Sequence, residues 1–290
     1  MKTALLLATA LLAAGAGEAW AAPAVKAVAA ENFYGDVLRQ IGGSHVAVTT
    51  ILSNPNQDPH EFEASPSTAR ALAGAALVVY NGADYDPWMA RLLTASPAPH
   101  RAAVVAADLV GARAGDNPHL WYDPKTMPAV AAAVAGDLER LDPADAAGYA
   151  RRLATFQASL KPIRDRIAAI RAAHPGVAVT ATEPVFGYMA AALGFAMRNE
   201  RFQIAVMNDT EPSARDVAAF QNDLETRKVR LLFYNSQVTD EMTERLLKLA
   251  KASGVPVVGV TETAPAGKSY QQWMEDELAA VEHALAAPSR

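Results

Sequence analysis

The chain has 290 residues, 51% hydrophobic and 20% charged, with a formal net charge of −5. That is ample apolar material for one large core or two medium ones, and the absence of a basic block excludes a nucleic-acid footprint. No cysteine occurs, which excludes disulfides and restricts any metal site to nitrogen and oxygen donors.

Lys2, the apolar run from Ala4 to Ala14 and the small-x-small step Ala19-Trp20-Ala21 mark residues 1–21 as an export signal cleaved near Ala21. The run is too short to span a bilayer. Without a thiol for lipid attachment, the mature chain is expected to be free in a periplasm, with no lipid anchor, and monomeric.

Short apolar strands then alternate with helical patterns in two series, the mark of βαβ units and parallel sheets. The first series predicts strands at Val25–Ala30, Val46–Leu52, Leu77–Tyr80 and Ala102–Ala106. The second predicts them at Val177–Thr182, Ile204–Met207, Val229–Tyr234 and Val255–Val260. Between the series, Tyr149, Leu153, Phe156, Leu160, Ile163, Ile167 and Ile170 recur at three- and four-residue spacing, which predicts one long amphipathic helix. At 1.5 Å per residue it reaches roughly 45 Å, bent by Pro162. The expected fold class is therefore α/β, with two lobes of parallel sheet and flanking helices over residues 22–142 and 174–290, joined by a stiff helix over 143–173.

Four positions stand in tight, proline- or glycine-containing segments. His60 lies in Asn54-Pro55-Asn56-Gln57-Asp58-Pro59-His60-Glu61-Phe62, just past a strand and before the helix start Ser65-Pro66. His119 lies in Asn117-Pro118-His119-Leu120-Trp121-Tyr122-Asp123-Pro124. Glu183 and Glu262 each follow a predicted strand, in Thr182-Glu183-Pro184-Val185-Phe186-Gly187-Tyr188 and Thr261-Glu262-Thr263-Ala264-Pro265. Taken singly, His60 reads as a solvated loop residue, His119 as a packed core histidine, and either glutamate as a carboxylate favoured at a helix start. Taken together, two imidazoles and two carboxylates, three of the four at strand carboxyl ends where open α/β sheets bind ligands, make a closed site for a divalent cation.

These four segments, in this order around a long central helix, resemble the zinc/manganese-type periplasmic substrate-binding proteins of metal ABC importers, the cluster A-I or cluster 9 family. The resemblance covers nearly the whole mature chain. It implies two lobes bridged by a rigid helix, one metal ion between them, and delivery of that ion to a membrane permease. The family's two ligand histidines match His60 and His119, its third ligand falls on Glu183, and its fourth, usually aspartate, on the longer Glu262. Glu183 replaces the histidine of many zinc members, and the stretch Val110 to Asn117 lacks their histidine-rich loop. Two nitrogens and two carboxylates able to chelate through both oxygens lean toward manganese, with iron(II) compatible, although zinc gains affinity along the first-row series. Two other classes remain: an exported metalloenzyme, which would keep an open coordination position, and an adhesin in which metal only stabilises the fold.

Overall fold

The computed structural model describes residues 24–54, 62–237 and 240–286. Its first half runs β1 (Val25–Glu31), α1 (Asn32–Gly42), β2 (Val46–Leu52), α2 (Pro66–Ala73), β3 (Leu77–Tyr80), α3 (Pro87–Ala95), β4 (Ala102–Val105) and α4 (Ala106–Val110). The strands form one parallel sheet in the order β2-β1-β3-β4. From Ala27 onward every residue of β1 is buried, as expected for a central parallel strand covered on both faces. The helices start where local chemistry dictates: Ser65 caps α2 through the Thr68 backbone N–H, with Pro66 in the first turn where its missing N–H costs nothing.

The second half contains β5 (Ala178–Ala181), α8 (Gly187–Ala192), β6 (Ala196–Arg198), α9 (Glu200–Met207), α10 (Ala214–Glu225), β7 (Leu232–Asn235), α11 (Glu241–Ala252), β8 (Val257–Val260) and α12 (Tyr270–Ala286). Its sheet is again wholly parallel, in the order β6-β5-β7-β8. Strand order across each sheet reverses once, between β1 and β3 and between β5 and β7, which opens a crevice at the carboxyl ends of those strands.

The halves are joined by α5 (Thr126–Leu141), α6 (Ala146–Ser159) and α7 (Lys161–Ala173). The predicted long helix is thus a nearly continuous path broken at Leu160, which keeps right-handed helical angles. Pro162 sits in the first turn of α7, and regular pairing resumes with the Arg164 N–H on the Leu160 carbonyl. The break precedes the proline because a proline ring cannot follow the carbonyl four residues earlier.

One hydrophobic core spans both halves. It runs from β1 and α1 through Trp121 and Tyr122 and the joining helices to β5, Phe233 and α12. Ring contacts trace the path: Phe33 on Trp121 at 4.7 Å, Tyr122 on Phe186 at 5.0 Å and Phe186 on Phe233 at 4.5 Å. Such a join does not behave as a hinge. Among the described residues no helix is long and apolar enough to cross a membrane.

One predicted strand is corrected. Ile204–Met207 is the carboxyl-terminal half of α9, and the edge strand β6 lies at Ala196–Arg198 instead. A four-residue apolar run does not distinguish strand from helix. Here Phe202 is buried and Val206 packs beside it while Ile204 is 48% exposed, which is helical spacing. Left-handed Asn199 makes the turn between β6 and α9.

Candidate metal centre

His119 is fully buried in the loop before the short 3-10 turn Leu120–Tyr122. Asn117 fixes its ring. The Asn117 amide donates from Nδ2 to the Pro184 carbonyl at 2.7 Å, so its Oδ1 is the acceptor for the His119 backbone N–H at 3.1 Å and faces ring Nδ1 at 2.6 Å. An acceptor on Nδ1 puts the proton there and leaves the Nε2 lone pair for a ligand, the arrangement typical of metal-bound histidine. The loop is held in turn from the first sheet. Asn81 donates to the Pro118 carbonyl at 2.8 Å and accepts from the Tyr34 hydroxyl at 2.7 Å.

The two carboxylates come from the second sheet. Glu183 stands two residues past β5 and Glu262 two residues past β8, and both are buried. The sheet order β5-β7-β8 puts the last residue of β7, Asn235, between them. The Asn235 Nδ2 donates to Glu183 Oε2 at 3.2 Å and to Glu262 Oε1 at 2.7 Å. Gln237 adds a brace: its Oε1 accepts the backbone N–H groups of Glu262 and Thr263, and its Nε2 donates to the Thr263 hydroxyl at 2.7 Å.

The halves meet where His119 Nε2 stands 3.5 Å from Glu262 Oε2, both side chains fully buried. Nε2 makes no hydrogen bond among the described residues. With Nδ1 protonated, the Nε2 lone pair faces a carboxylate oxygen in a buried site, a pairing chemically suited to a cation. The neighbourhood is acidic. Burial, then the charges of Glu262 and Glu31, push the Tyr85 phenol well above its usual range. Burial, then the charge of Asp86, raises the buried Glu31 carboxyl, and burial brings Asp86 itself up to about 6. Two more hydrogen bonds close the seam over the site: the Tyr122 hydroxyl donates to the Thr261 carbonyl at 2.9 Å, and the Tyr188 hydroxyl to the Asn117 carbonyl at 2.8 Å.

Of the four expected ligands, His119 and Glu262 touch, and Glu183 reaches Glu262 only through Asn235. Among the described residues no three histidine, aspartate or glutamate side chains form a group that could hold a metal. His60 belongs to the segment 55–61, outside the described residues. Sequence reasoning missed Asn117, Asn235 and Gln237. Asn117 lay in a quoted motif, two residues before a candidate ligand; the other two become visible only when the strand order brings β7 between β5 and β8. Of the remaining histidines, His45 has its ring nitrogens 3.4 Å from Asp142 and 3.6 Å from Asp145.

Two parallel α/β sheets sharing a core, with a buried histidine from a loop of the first half beside buried carboxylates past the strands of the second, define a two-lobed solute-binding protein. Residues 27–284 match the family described as "Zinc-uptake complex component A periplasmic", ZnuA, and the chain belongs to that family. It is similar to the manganese-binding lipoprotein MntA of Halalkalibacterium halodurans, 26% identical over 184 residues that make up 59% of this chain and 58% of that protein. It is 22% identical over 278 residues to the metal ABC transporter substrate-binding lipoprotein SloC of Streptococcus mutans, covering 87% of this chain and 88% of SloC. Among solved structures, the periplasmic zinc-binding protein TroA of Treponema pallidum superposes with a TM-score of 0.77 at 22% identity, over 91% of this chain and all of TroA.

Proposed function

We propose that the chain captures one divalent transition-metal ion, held by His60 and His119 from the first half and Glu183 and Glu262 from the second. It is an exported metal-binding component of an ABC importer, and the ion is its cargo, passed on to a membrane permease. Relatives bind manganese, zinc or iron by name, and the cargo here belongs to that class. We read residues 1–21 as the export signal, 22–142 and 174–290 as the lobes, and 143–173 as the helical bridge. The observation that carries this reading is the buried contact between His119 Nε2 and Glu262 Oε2, with Glu183 tied to the same carboxylate through Asn235. A neutral amide spaces the two carboxylates without cancelling their charge, which is the role left for a cation. Its relatives are binding proteins by name, so we read the protein as a carrier rather than an enzyme, which would need an open coordination position.

The test is metal analysis of protein purified from its native compartment, followed by chelator stripping and titration with manganese, zinc and iron(II). One equivalent of metal is expected, with His119→Ala and Glu262→Ala each weakening binding at least roughly 100-fold. Full metal content in both variants would refute the ligand set. Stripped protein that stays folded would exclude the adhesin reading, in which metal only stabilises the fold.

A further inference from the structure

We propose that the open cavity beside Asn117 and Pro184, where the two halves meet, is the surface that receives the importer's membrane subunit. Its occupant is a segment of that subunit carrying cationic and apolar side chains. This rests on the capture-and-delivery reading above and names the face of the protein that performs delivery. The cavity has a volume of about 560 Å³ and takes its walls from both halves, Asp84, Asp116 and Asn117 from the first and Pro184, Tyr188 and Glu200 from the second. A cleft of roughly 300–1,000 Å³ encloses a drug-sized group, which is the bulk of a few side chains.

Charge selects the occupant. The described lining holds three carboxylates, Asp84, Asp116 and Glu200, and no lysine, arginine or histidine. All three are exposed, and none belongs to an ion pair among the described residues. Asp116 accepts the Arg113 backbone N–H at 2.9 Å, which leaves its charge in place. Carboxylates around one cavity attract a cationic partner and raise its rate of encounter. The rest of the lining includes Phe195, Met197, Ile204 and Met207. Ile204 is 48% exposed, one of two large apolar side chains so exposed among the described residues, and methionines adapt to the shape of a partner.

The same cavity gives a partner purchase on the metal centre. His119 and Glu262 are fully buried, so an ion beside them leaves only when the surrounding structure moves. Asn117, which orients His119, reaches across the seam to the Pro184 carbonyl at 2.7 Å, and the Tyr188 hydroxyl closes on the Asn117 carbonyl at 2.8 Å. A side chain wedged between these lining segments parts both bonds. On the first-half wall, Gly82, Ala83 and Asp84 all have left-handed φ, of 74°, 49° and 62°. Ala83 and Asp84 carry side chains there, so the turn stores strain. It runs directly into the buried Tyr85, whose ring stands 6.0 Å from that of His119. A partner pressing on Asp84 therefore has a short path to a candidate ligand.

Two experiments test this. In cells lacking the native copy, wild type and the triple variant Asp84→Lys, Asp116→Lys, Glu200→Lys are compared for uptake of radioactive zinc, manganese and iron, and the metal affinity of each purified protein is titrated. Uptake with the variant is expected to fall roughly tenfold or more, with affinity within about twofold of wild type. Uptake equal to wild type, or a loss of affinity large enough to account for the lost uptake, overturns the proposal. The second experiment does not depend on the folding of that variant. A photo-crosslinking residue replaces Ile204 in otherwise wild-type protein in its native cells, with exposed Lys251, shortly before β8, as the control position. A crosslink to the importer's membrane subunit is expected from position 204 and not from 251. No crosslink to that subunit, or equal crosslinks from both positions, overturns the surface. Wild-type protein that supports uptake of none of the three metals would instead sink the capture-and-delivery reading.

Discussion

Glu277 offers a quantitative test of how the two halves are held together behind the site. It lies on α12 with 8% of its surface exposed, and its Oε1 accepts the Trp273 indole N–H at 3.2 Å. Trp273 in turn packs on Tyr122, at 5.5 Å, in the loop that carries His119. Burial pushes the Glu277 carboxyl up to about 7 from an ordinary 4.5, with Trp273 and Tyr122 opposing the rise. In the folded chain this carboxyl therefore keeps its proton to higher pH than in the unfolded chain. Its contribution to stability is fully present below 4.5 and is lost as pH rises to about 7. At 1.36 kcal/mol per pH unit, that window is worth about 3 kcal/mol. Glu277→Gln keeps an acceptor for the indole and removes the titration. The assay is urea unfolding of metal-free wild type and variant from pH 4.5 to 8, metal being removed because bound ion adds its own linkage. Wild-type stability is expected to fall by about 3 kcal/mol relative to the variant between pH 4.5 and 7.5, and the melting temperature by roughly 6 °C. Parallel curves for the two proteins would refute the buried, proton-retaining Glu277.

Three further outcomes are expected. A Cβ at Gly187 would stand 2.9 Å from the Asn117 Nδ2 that orients His119, so Gly187→Ala should weaken metal binding roughly tenfold while leaving the circular dichroism spectrum unchanged; unaltered affinity by titration would show that Asn117 does not set the imidazole. Metal affinity should fall between pH 7 and about 5, because protons compete for imidazole donors, and an affinity flat across that range by competition titration would remove the histidines from the ligand set. The core shared by both halves predicts that crystals of stripped and loaded protein differ by small local shifts, and a lobe rotation of tens of degrees would contradict it.

The amino-acid sequence by itself determined the elements and the candidate ligands, because their signals are local. Apolar runs between helical patterns marked seven of the eight strands. Ser65-Pro66 marked a helix start through its own side chain and ring, and Pro162 marked a bend where the structure instead breaks the path at Leu160, between α6 and α7. The exception, Ile204–Met207, failed because four apolar residues fit either period, and burial of Phe202 beside Val206 chose the helix. Only the tertiary structure decided how the ligands are arranged. The Asn235 amide reaches Glu183 and Glu262 because β7 lies between β5 and β8, a neighbourhood set by strand order across 52 and 27 residues of chain. Likewise the Asn117 amide is oriented by a carbonyl from the other half of the molecule, 67 residues away. Residue type carries the chemistry of a donor, but its tautomer and its distance from the next donor are properties of packing, and no local pattern encodes them.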